Sequence, residues 1–296
     1  RFTFFFSSGC DVIREAAKFR AARRLWARIA SSRLGARHPA SQRMKIHAQT
    51  AGSELAAVET DNNVVRVALQ ALAAVLGGVQ SLHANARDEA LRLPTASSAV
   101  LALRTQQILA YESGLADMVD PLGGAYAVEA ETDRLEREAL RWFEAVEGAG
   151  GALRAAASGF VRDSVRASAR RQFEAVERGI RTIVGVNRFA ASRPAKPARV
   201  MSREKAAEEE RRAAEAVRLH RQNRCETDAR RALVRLAADA ERGINTMPAL
   251  WEAARAGCTI GEMYGMLTSL YGEFRLEETG DPGGNEFAME EERCCV

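Results

Sequence analysis

The sequence predicts an α/β protein built from repeated strand–helix units. Three short strand-like runs open the chain, and each one is followed by a segment with helical periodicity. Strands that alternate with helices in this way form parallel sheets or (β/α)8 barrels. Three units cannot close a barrel, which needs eight strands. The pattern is therefore that of a small open sheet or of one part of a barrel.

Each of the three units has recognisable boundaries. The sequence predicts strands at residues 2–7, 44–49 and 79–85, and helices at residues 11–34, 62–77 and 96–113. Asn62 and Thr95 are the expected caps, because short polar side chains satisfy the free N–H groups of a first helical turn. Gly77 and Gly114 are the expected stops, because glycine accepts the conformation that ends a helix.

Beyond residue 114 the pattern becomes mainly helical. A turn is predicted at residues 120–124 and a short apolar strand at 182–187. Helices are predicted at 125–147, 151–158, 163–179, 204–224, 227–242, 248–256 and 260–271. The predicted division is a βα portion at 1–114, a helical extension at 115–190 and a linker with a charged helix at 191–225. A small helical segment at 226–276 and a disordered acidic tail at 277–296 complete it.

Composition argues against several classes of function. Only four of the 43 basic residues are lysines, and no basic stretch is interleaved with aromatic residues as single-strand binders require. The five cysteines lack metal-ligand spacing and are interpreted as free thiols in a reducing compartment. No apolar run reaches the roughly 18 residues that a membrane span needs. We therefore expect a cytoplasmic protein with no nucleic-acid partner, no membrane partner and no metal site.

Polar residues follow the faces of two predicted strands. Side chains alternate along a strand, so His47 and Gln49 share one face of the second strand. The same rule groups Ser81, His83 and Asn85 on one face of the third. Two polar strand faces that meet predict a buried, hydrogen-bonding active site.

Long stretches of the chain resemble one family. They include HAQTAG from His47, QSLHANARDEALRLPT from Gln80 and YESGLADMVDPLGGAYAVEA from Tyr111. These stretches are similar to the large subunit of the adenosylcobalamin-dependent acyl-CoA mutases, the methylmalonyl-CoA mutase family. The resemblance implies the last three βα units of a (β/α)8 barrel, followed by a mainly helical extension. Because Arg1 already lies inside a strand-like pattern, we interpret the chain as a fragment without the N-terminal part of the barrel and without the cobalamin-binding domain.

The resemblance also implies roles for residues on the first two strands. His47 and Gln49 match the His-x-Gln pair that lines the reaction cavity in the family, which makes them the candidate catalytic residues. Arg1 and Thr3 fall where the family has an arginine and a serine that contact coenzyme A. The second strand would then face the reaction, and the first would face the carrier portion of the substrate.

On the third strand the resemblance implies contacts with the cofactor. Asn85 and Glu89 match the family residues that hydrogen-bond the adenosyl group, and His83 is expected to orient its neighbours there. A carboxylate suits a ribose, because it can accept hydrogen bonds from two hydroxyls at once. Capping of the following helix is the alternative role for Asn85 and Glu89.

The implied activity is a radical 1,2-rearrangement of an acyl-CoA carbon skeleton. The expected pair is methylmalonyl-CoA and succinyl-CoA, or a related acyl-CoA such as isobutyryl-CoA or ethylmalonyl-CoA. Adenosylcobalamin would be the cofactor. The expected partners are the acyl-CoA substrate, a small cobalamin-binding subunit or domain, and a G-protein chaperone. Such chemistry needs no general base, which agrees with the absence of a Ser/His/Asp or paired-carboxylate motif.

A second hypothesis belongs to another class of function. Ala56 and Val58 stand where the family has Thr and Gln, and Ala84 replaces another Thr. These changes favour a degenerate, non-catalytic homologue that acts as an interaction partner of a true mutase. The sequence upstream of Arg1 would distinguish the two hypotheses, since it would or would not supply the remaining barrel strands.

Overall fold

The computed structural model describes residues 2–190 and 203–273. These residues fall into two compact units, one on each side of the gap. Arg1, residues 191–202 of the predicted linker segment and the predicted acidic tail lie outside the described residues. The finer division into five segments stays a prediction.

A three-stranded parallel sheet organises the first unit. Its strands, in spatial order, are β1 (Phe4–Ser8), β2 (Ile46–Thr50) and β3 (Ser81–His83). Phe5 pairs with His47, and His47 pairs in turn with Ser81. The predicted α/β class with a parallel sheet is confirmed, although each strand differs from its predicted bounds by one or more residues.

Seven α-helices accompany this sheet within residues 2–190. They are α1 (Val12–Ser32), α2 (Pro39–Gln42), α3 (Asn62–Leu76), α4 (Ala96–Tyr111), α5 (Tyr126–Gly148), α6 (Ala152–Ala157) and α7 (Phe160–Glu177). Thr95 caps α4 as predicted, with its hydroxyl 3.2 Å from the Ser98 N–H. Asn62 does not cap α3, because its side chain instead donates to Glu59 at 2.8 Å.

One face of the sheet carries the apolar core. Phe19 of α1 is fully buried and packs with Ile46 and Ala48 of β2 and with Ala74 of α3. Phe6 of β1 joins this cluster with its ring edge-on to Phe19. Because strand side chains alternate, the polar residues of the same strands are turned to the opposite face. The helices α1 and α3 thus cover the sheet on its apolar side.

The predicted strand at residues 182–187 is wrong. The structure has only an isolated bridge between Val184 and Arg188 there. Gly185 adopts a φ of +78°, and its N–H donates to the Arg188 carbonyl at 2.8 Å, which folds the segment into a tight turn. Asn187 reinforces the turn by accepting from the Ile183 N–H at 2.7 Å. The apolar run was too short to outweigh these turn-forming residues.

Ion pairs fasten the helical extension to the sheet-bearing part. Arg20, Arg24 and Arg28 follow one side of α1 at four-residue spacing, which places them on one helix face. Arg20 donates to Glu129 of α5 at 2.6 Å, while Arg24 and Arg28 both donate to Glu136. Glu136 is only 3% exposed, so its charge depends on these two guanidinium groups.

Residues 203–273, the described part of the second unit, form four helices. They are α8 (Arg203–Asn223), α9 (Glu226–Glu241), α10 (Met247–Arg255) and α11 (Ile260–Tyr271). Arg224 donates to both oxygens of Glu262, at 2.6 and 2.7 Å, and its side chain is 5% exposed. Thr259 and Glu262 form a capping box at the start of α11. The Arg224 hydrogen bonds hold the pKa of Glu262 well below its usual range.

Replacing Glu136 with Gln is expected to destabilise the first unit by about 2 kcal/mol, because two charge-assisted hydrogen bonds become weaker and their arginines lose a buried counter-charge. Urea unfolding followed by tryptophan fluorescence measures this change. A Trp251→Phe background keeps the second unit silent, since Trp251 lies on α10.

The matched control is Glu147→Gln. Glu147 of α5 pairs with Arg33, the residue directly after α1, but both side chains are about half exposed. Exposed pairs contribute less than about 1 kcal/mol. Equal losses for the two substitutions would contradict the assigned role of Glu136.

Candidate functional site

A polar face lies on the side of the sheet opposite the core. We define it by Phe5, His47, Gln49, Ser81 and His83, which alternation turns to the same side. His47 Nδ1 is 2.7 Å from Ser81 Oγ. The Phe5 ring lies 5.0 Å from the imidazole, tilted by 47°. The histidine is thus held between a hydroxyl and an aromatic ring on the neighbouring strands.

Gln49, Asn85 and Thr50 form a hydrogen-bonded group at the carboxyl end of this face. Gln49 Nε2 donates to Asn85 Oδ1 at 2.9 Å. Asn85 Nδ2 donates to the Thr50 carbonyl at 2.9 Å, and the Asn85 N–H donates to Thr50 Oγ1 at 2.8 Å. Asn85 is 2% exposed, and these bonds tie the end of β2 to the residues after β3.

Beside this group, Gly52 forms a small cradle with the Asn85 and Glu89 side chains. A Cβ on Gly52 would lie 3.0 Å from Asn85 Nδ2 and 3.6 Å from Glu89 Cγ, so a larger residue at this position would crowd the Asn85 amide. Glu89 is exposed, and its carboxylate makes no hydrogen bond with the described residues. Ligands of parallel α/β proteins bind at the carboxyl ends of the strands, where this cradle lies.

The structure brings most of the predicted site residues to one edge of the sheet. His47 and Gln49 share the polar face as predicted, and Asn85 contacts Gln49 directly. His83 lies on the same face, pairs in register with Gln49 and is exposed. Thr3 precedes β1 and is exposed, while Arg1 lies outside the described residues. Their roles toward substrate and cofactor stay predictions.

One expectation about this site needs correction. The alternative role of Asn85 and Glu89 as caps of the following helix is wrong, because Thr95 caps α4. The expected burial of the active site stays a prediction. Within the described residues Phe5 is 66% exposed and Ser81 and His83 are also exposed, because α1 and α3 cover only the apolar face.

The sequence reasoning missed a carboxylate that joins several loops near the same edge. Glu54 accepts from the Cys10 N–H at 2.7 Å, from Gln70 Nε2 at 3.3 Å and from Arg181 Nη2 at 2.5 Å. Burial disfavours its charge, but the bonds from Cys10 and Arg181 outweigh burial and hold the pKa of Glu54 below its usual value. The sequence offered little signal, because Glu54 is one of three acids in the loop between β2 and α3.

Cys10 is a protonated thiol in this environment. Burial, followed by the negative charge of Glu54, raises its pKa to about 12. The thiolate is the reactive form of cysteine. Cys10 is therefore a poor nucleophile although it stands at the carboxyl end of β1.

The loop that departs from the family pattern keeps its own hydrogen bonds. Asn63 accepts from the Ala56 N–H at 3.0 Å and donates to the Ala56 carbonyl at 2.8 Å. Val58 is 41% exposed. The loop after β2 is thus held through the Ala56 backbone, which does not depend on the missing Thr and Gln side chains.

Two absences apply to the described ranges. Residues 2–190 and 203–273 contain no group of three or more His, Cys, Asp or Glu side chains arranged to hold a metal ion. In the same ranges, no helix combines the length and apolar character that crossing a bilayer requires.

This geometry defines an α/β protein with a hydrogen-bonding sheet face and a small Gly52–Glu89 cradle at its carboxyl edge. The sequence model of one family, methylmalonyl-CoA mutase, matches residues 1–273. The chain belongs to the methylmalonyl-CoA mutase family. The resemblance identified from the sequence motifs is therefore confirmed.

The relatives of this chain are named as mutases of two different acyl-CoA substrates. The chain is 40% identical over 276 residues to the 2-hydroxyisobutanoyl-CoA mutase large subunit of Aquincola tertiaricarbonis, covering 93% of this chain and 49% of that protein. It is 39% identical to the methylmalonyl-CoA mutase of Cereibacter sphaeroides, covering 94% and 39%. With the human mitochondrial methylmalonyl-CoA mutase the identity is 35%, covering 94% and 37%. The chain thus spans half or less of the length of these relatives.

Glu54→Gln is expected to cost about 2 kcal/mol of folding stability at neutral pH, because charge-assisted hydrogen bonds are lost. A carboxyl whose folded pKa is depressed stabilises the fold above its unfolded pKa, and that contribution is lost as pH falls through the folded pKa. The difference between wild type and variant should therefore be constant above pH 5 and shrink below the ordinary value of 4.5.

Urea unfolding at several pH values measures this difference. Glu144→Gln serves as the control, because Glu144 is exposed on α5 and should show no comparable loss. A Glu54 difference that stays constant down to pH 3 would contradict the assignment.

Iodoacetamide is expected to modify Cys10 much more slowly than the exposed Cys225 at pH 8, because almost no Cys10 thiolate is present. Cys258 should also react slowly, since burial raises its pKa and encloses its sulfur. Peptide mapping by mass spectrometry measures the three rates separately. Equal rates for Cys10 and Cys225 would refute the protonated state.

Proposed function

We propose that this chain forms part of an adenosylcobalamin-dependent acyl-CoA mutase that interconverts methylmalonyl-CoA and succinyl-CoA. One observation carries the proposal: in a chain of this family, His47 and Gln49 lie together on the polar face, and the Gly52–Glu89 cradle lies beside them. The reaction is a radical 1,2-shift within the acyl group.

In this proposal β1, β2 and β3 are the last three strands of a (β/α)8 barrel. Helices cover the apolar face of the sheet, so the polar face would line the barrel interior. Ordinary barrel interiors are filled by branched apolar side chains. A lining of His47, Gln49, Ser81 and His83 suits a barrel that holds a polar substrate.

The residues present fit adenosylcobalamin at the carboxyl edge. Glu89 offers two acceptor oxygens without a partner in the described chain, and Gly52 lets the backbone lie close to the Asn85 and Glu89 side chains. A ribose has two hydroxyl groups that can donate hydrogen bonds to these two oxygens. When bound, adenosylcobalamin would supply the radical chemistry that side chains cannot provide. His83 would orient the groups around it.

The chain itself would bind, orient and shield the reacting groups. His47 would hydrogen-bond the acyl group through Nε2, since Nδ1 is engaged by Ser81. Gln49 would offer its free amide oxygen beside it, and Phe5 would limit access of water to the imidazole. Thr3 and Arg1 would contact the coenzyme A portion.

The proposal includes several partners. The cobalamin would be held by a separate small subunit or by a further domain, and a G-protein chaperone would serve the assembled enzyme. The relative named as a large subunit supports the two-subunit form. We place this enzyme in the cytoplasm, with neither nucleic acid nor membrane as a partner.

In the complete enzyme that carries this chain, His47→Ala is expected to lower kcat by about 10²-fold, the usual effect of losing one preorganised hydrogen-bond donor. Turnover of methylmalonyl-CoA with added adenosylcobalamin measures this. His220→Ala is the matched control, because His220 bonds only the Gly257 carbonyl within the second unit.

The non-catalytic homologue is the competing outcome of this experiment. It predicts no turnover and no radical signal with any acyl-CoA, together with stable binding to a separate active mutase. An unchanged kcat in the His47 variant would still support the proposed mutase function, but it would contradict the role assigned to His47.

A further inference from the structure

A tight turn at the end of the helical extension lies against the sheet-bearing part of the first unit. We call residues 181–188 the strap, and we call residues 51–61, which connect β2 to α3, the β2–α3 loop. The strap follows α7, which has no buried residue of its own. Because α7 buries so little, the position of this part of the chain depends on the contacts that the strap makes.

The strap is braced internally by one side chain. Asn187 Oδ1 accepts from the Ile183 N–H at 2.7 Å. Asn187 Nδ2 donates to the Val176 and Arg181 carbonyls, both at 2.8 Å. Gly185 supplies the φ of +78° that the turn requires. With these bonds formed, the strap moves as one piece.

Two contacts join the strap directly to the β2–α3 loop. Arg181 Nη2 donates to Glu54 Oε1 at 2.5 Å, while the other oxygen of Glu54 accepts from the Cys10 N–H at 2.7 Å. Gly185 is buried, and a Cβ there would lie 2.5 Å from Glu59 Oε2. The Arg181 side chain is 40% exposed and that of Glu54 is 22% exposed. Water and salt therefore weaken this ion pair more readily than they weaken the core.

A third connection runs through Arg66 of α3. Arg66 Nη2 donates to the Val184 carbonyl at 2.7 Å, and Arg66 Nη1 donates to Asn63 Oδ1, also at 2.7 Å. Asn63 is fully buried and holds Ala56 of the loop through two hydrogen bonds. The strap is thus linked to the loop near both of its ends.

We propose that the strap is a conformational device whose latch is the Arg181–Glu54 ion pair. While the pair is formed, the strap holds the β2–α3 loop in place. When the pair breaks, the strap and the loop loosen together, and the apolar core around Phe19 stays closed. Gly52 belongs to this loop, so the latch also sets how firmly the carboxyl edge of the sheet is held. The inference rests on these contacts and is independent of the function proposed above.

Hydrogen exchange of the full chain, followed by mass spectrometry, tests the latch. Arg181→Gln is expected to accelerate exchange at residues 51–61 and 181–188 about fivefold, the effect of losing a partly exposed ion pair. Exchange in α1 should not change, because the core does not depend on the strap.

The matched control is Arg178→Gln, which removes the same charge from the same segment. Arg178 directly follows α7, is exposed and makes no ion pair with the described residues. Equal acceleration in the two variants, or acceleration in the strap without the loop, would overturn the proposal.

Ionic strength provides a second test that uses the wild-type chain. Raising NaCl from about 0.05 M to about 0.5 M shortens the screening length severalfold. Exchange of the β2–α3 loop should then accelerate about twofold in the wild type and stay unchanged in Arg181→Gln, which has no ion pair to screen. Acceleration of equal size in both chains would refute the latch.

Discussion

One-sided coverage of the parallel sheet is the constraint on which the rest of this structure depends. Phe19 is fully buried against β2, and α1 and α3 bring the other apolar partners to the same side. Because side chains alternate along a strand, His47 and Gln49 must then lie on the opposite face of the sheet. A shift of one residue in β2 would bury both polar side chains in the core and expose Ile46. The position of the candidate site is therefore a consequence of core packing.

Local patterns in the sequence were sufficient to predict the three parallel strands and to place His47 and Gln49 on the same face. Alternation and caps depend on neighbours in the chain, which is why the Thr95 cap and the parallel strands could be predicted. The Glu54 contacts could not, because Cys10 and Arg181 lie 44 and 127 residues away in the chain. The strand predicted around Gly185 was wrong for a local reason, because hydrogen bonds within the turn outweighed the strand preference of the short apolar run.

Family membership fixes less about the substrate than about the framework. Relatives of similar identity carry the names of two different mutases, one acting on methylmalonyl-CoA and one on 2-hydroxyisobutanoyl-CoA. A hydrogen-bonding wall of this kind can serve both, because each substrate carries a thioester and a polar acyl group. Discrimination between acyl groups requires contacts that differ with the acyl group itself. Under the proposed function, the described polar face would supply hydrogen bonding common to both substrates, and the choice of substrate would fall to other contacts in the complete enzyme.

Two interior bonding groups give the carboxyl edge of the sheet its rigidity. Asn85 ties the end of β2 to the residues after β3, while Glu54 ties the loop after β1 to α3 and to Arg181. Under the proposed function such a framework would be needed, because a reactive radical is kept from side reactions only if the groups around it hold still and exclude water. The substitutions at Ala56 and Val58 leave both groups intact, so the drift of that loop from the family pattern does not by itself argue for loss of catalysis.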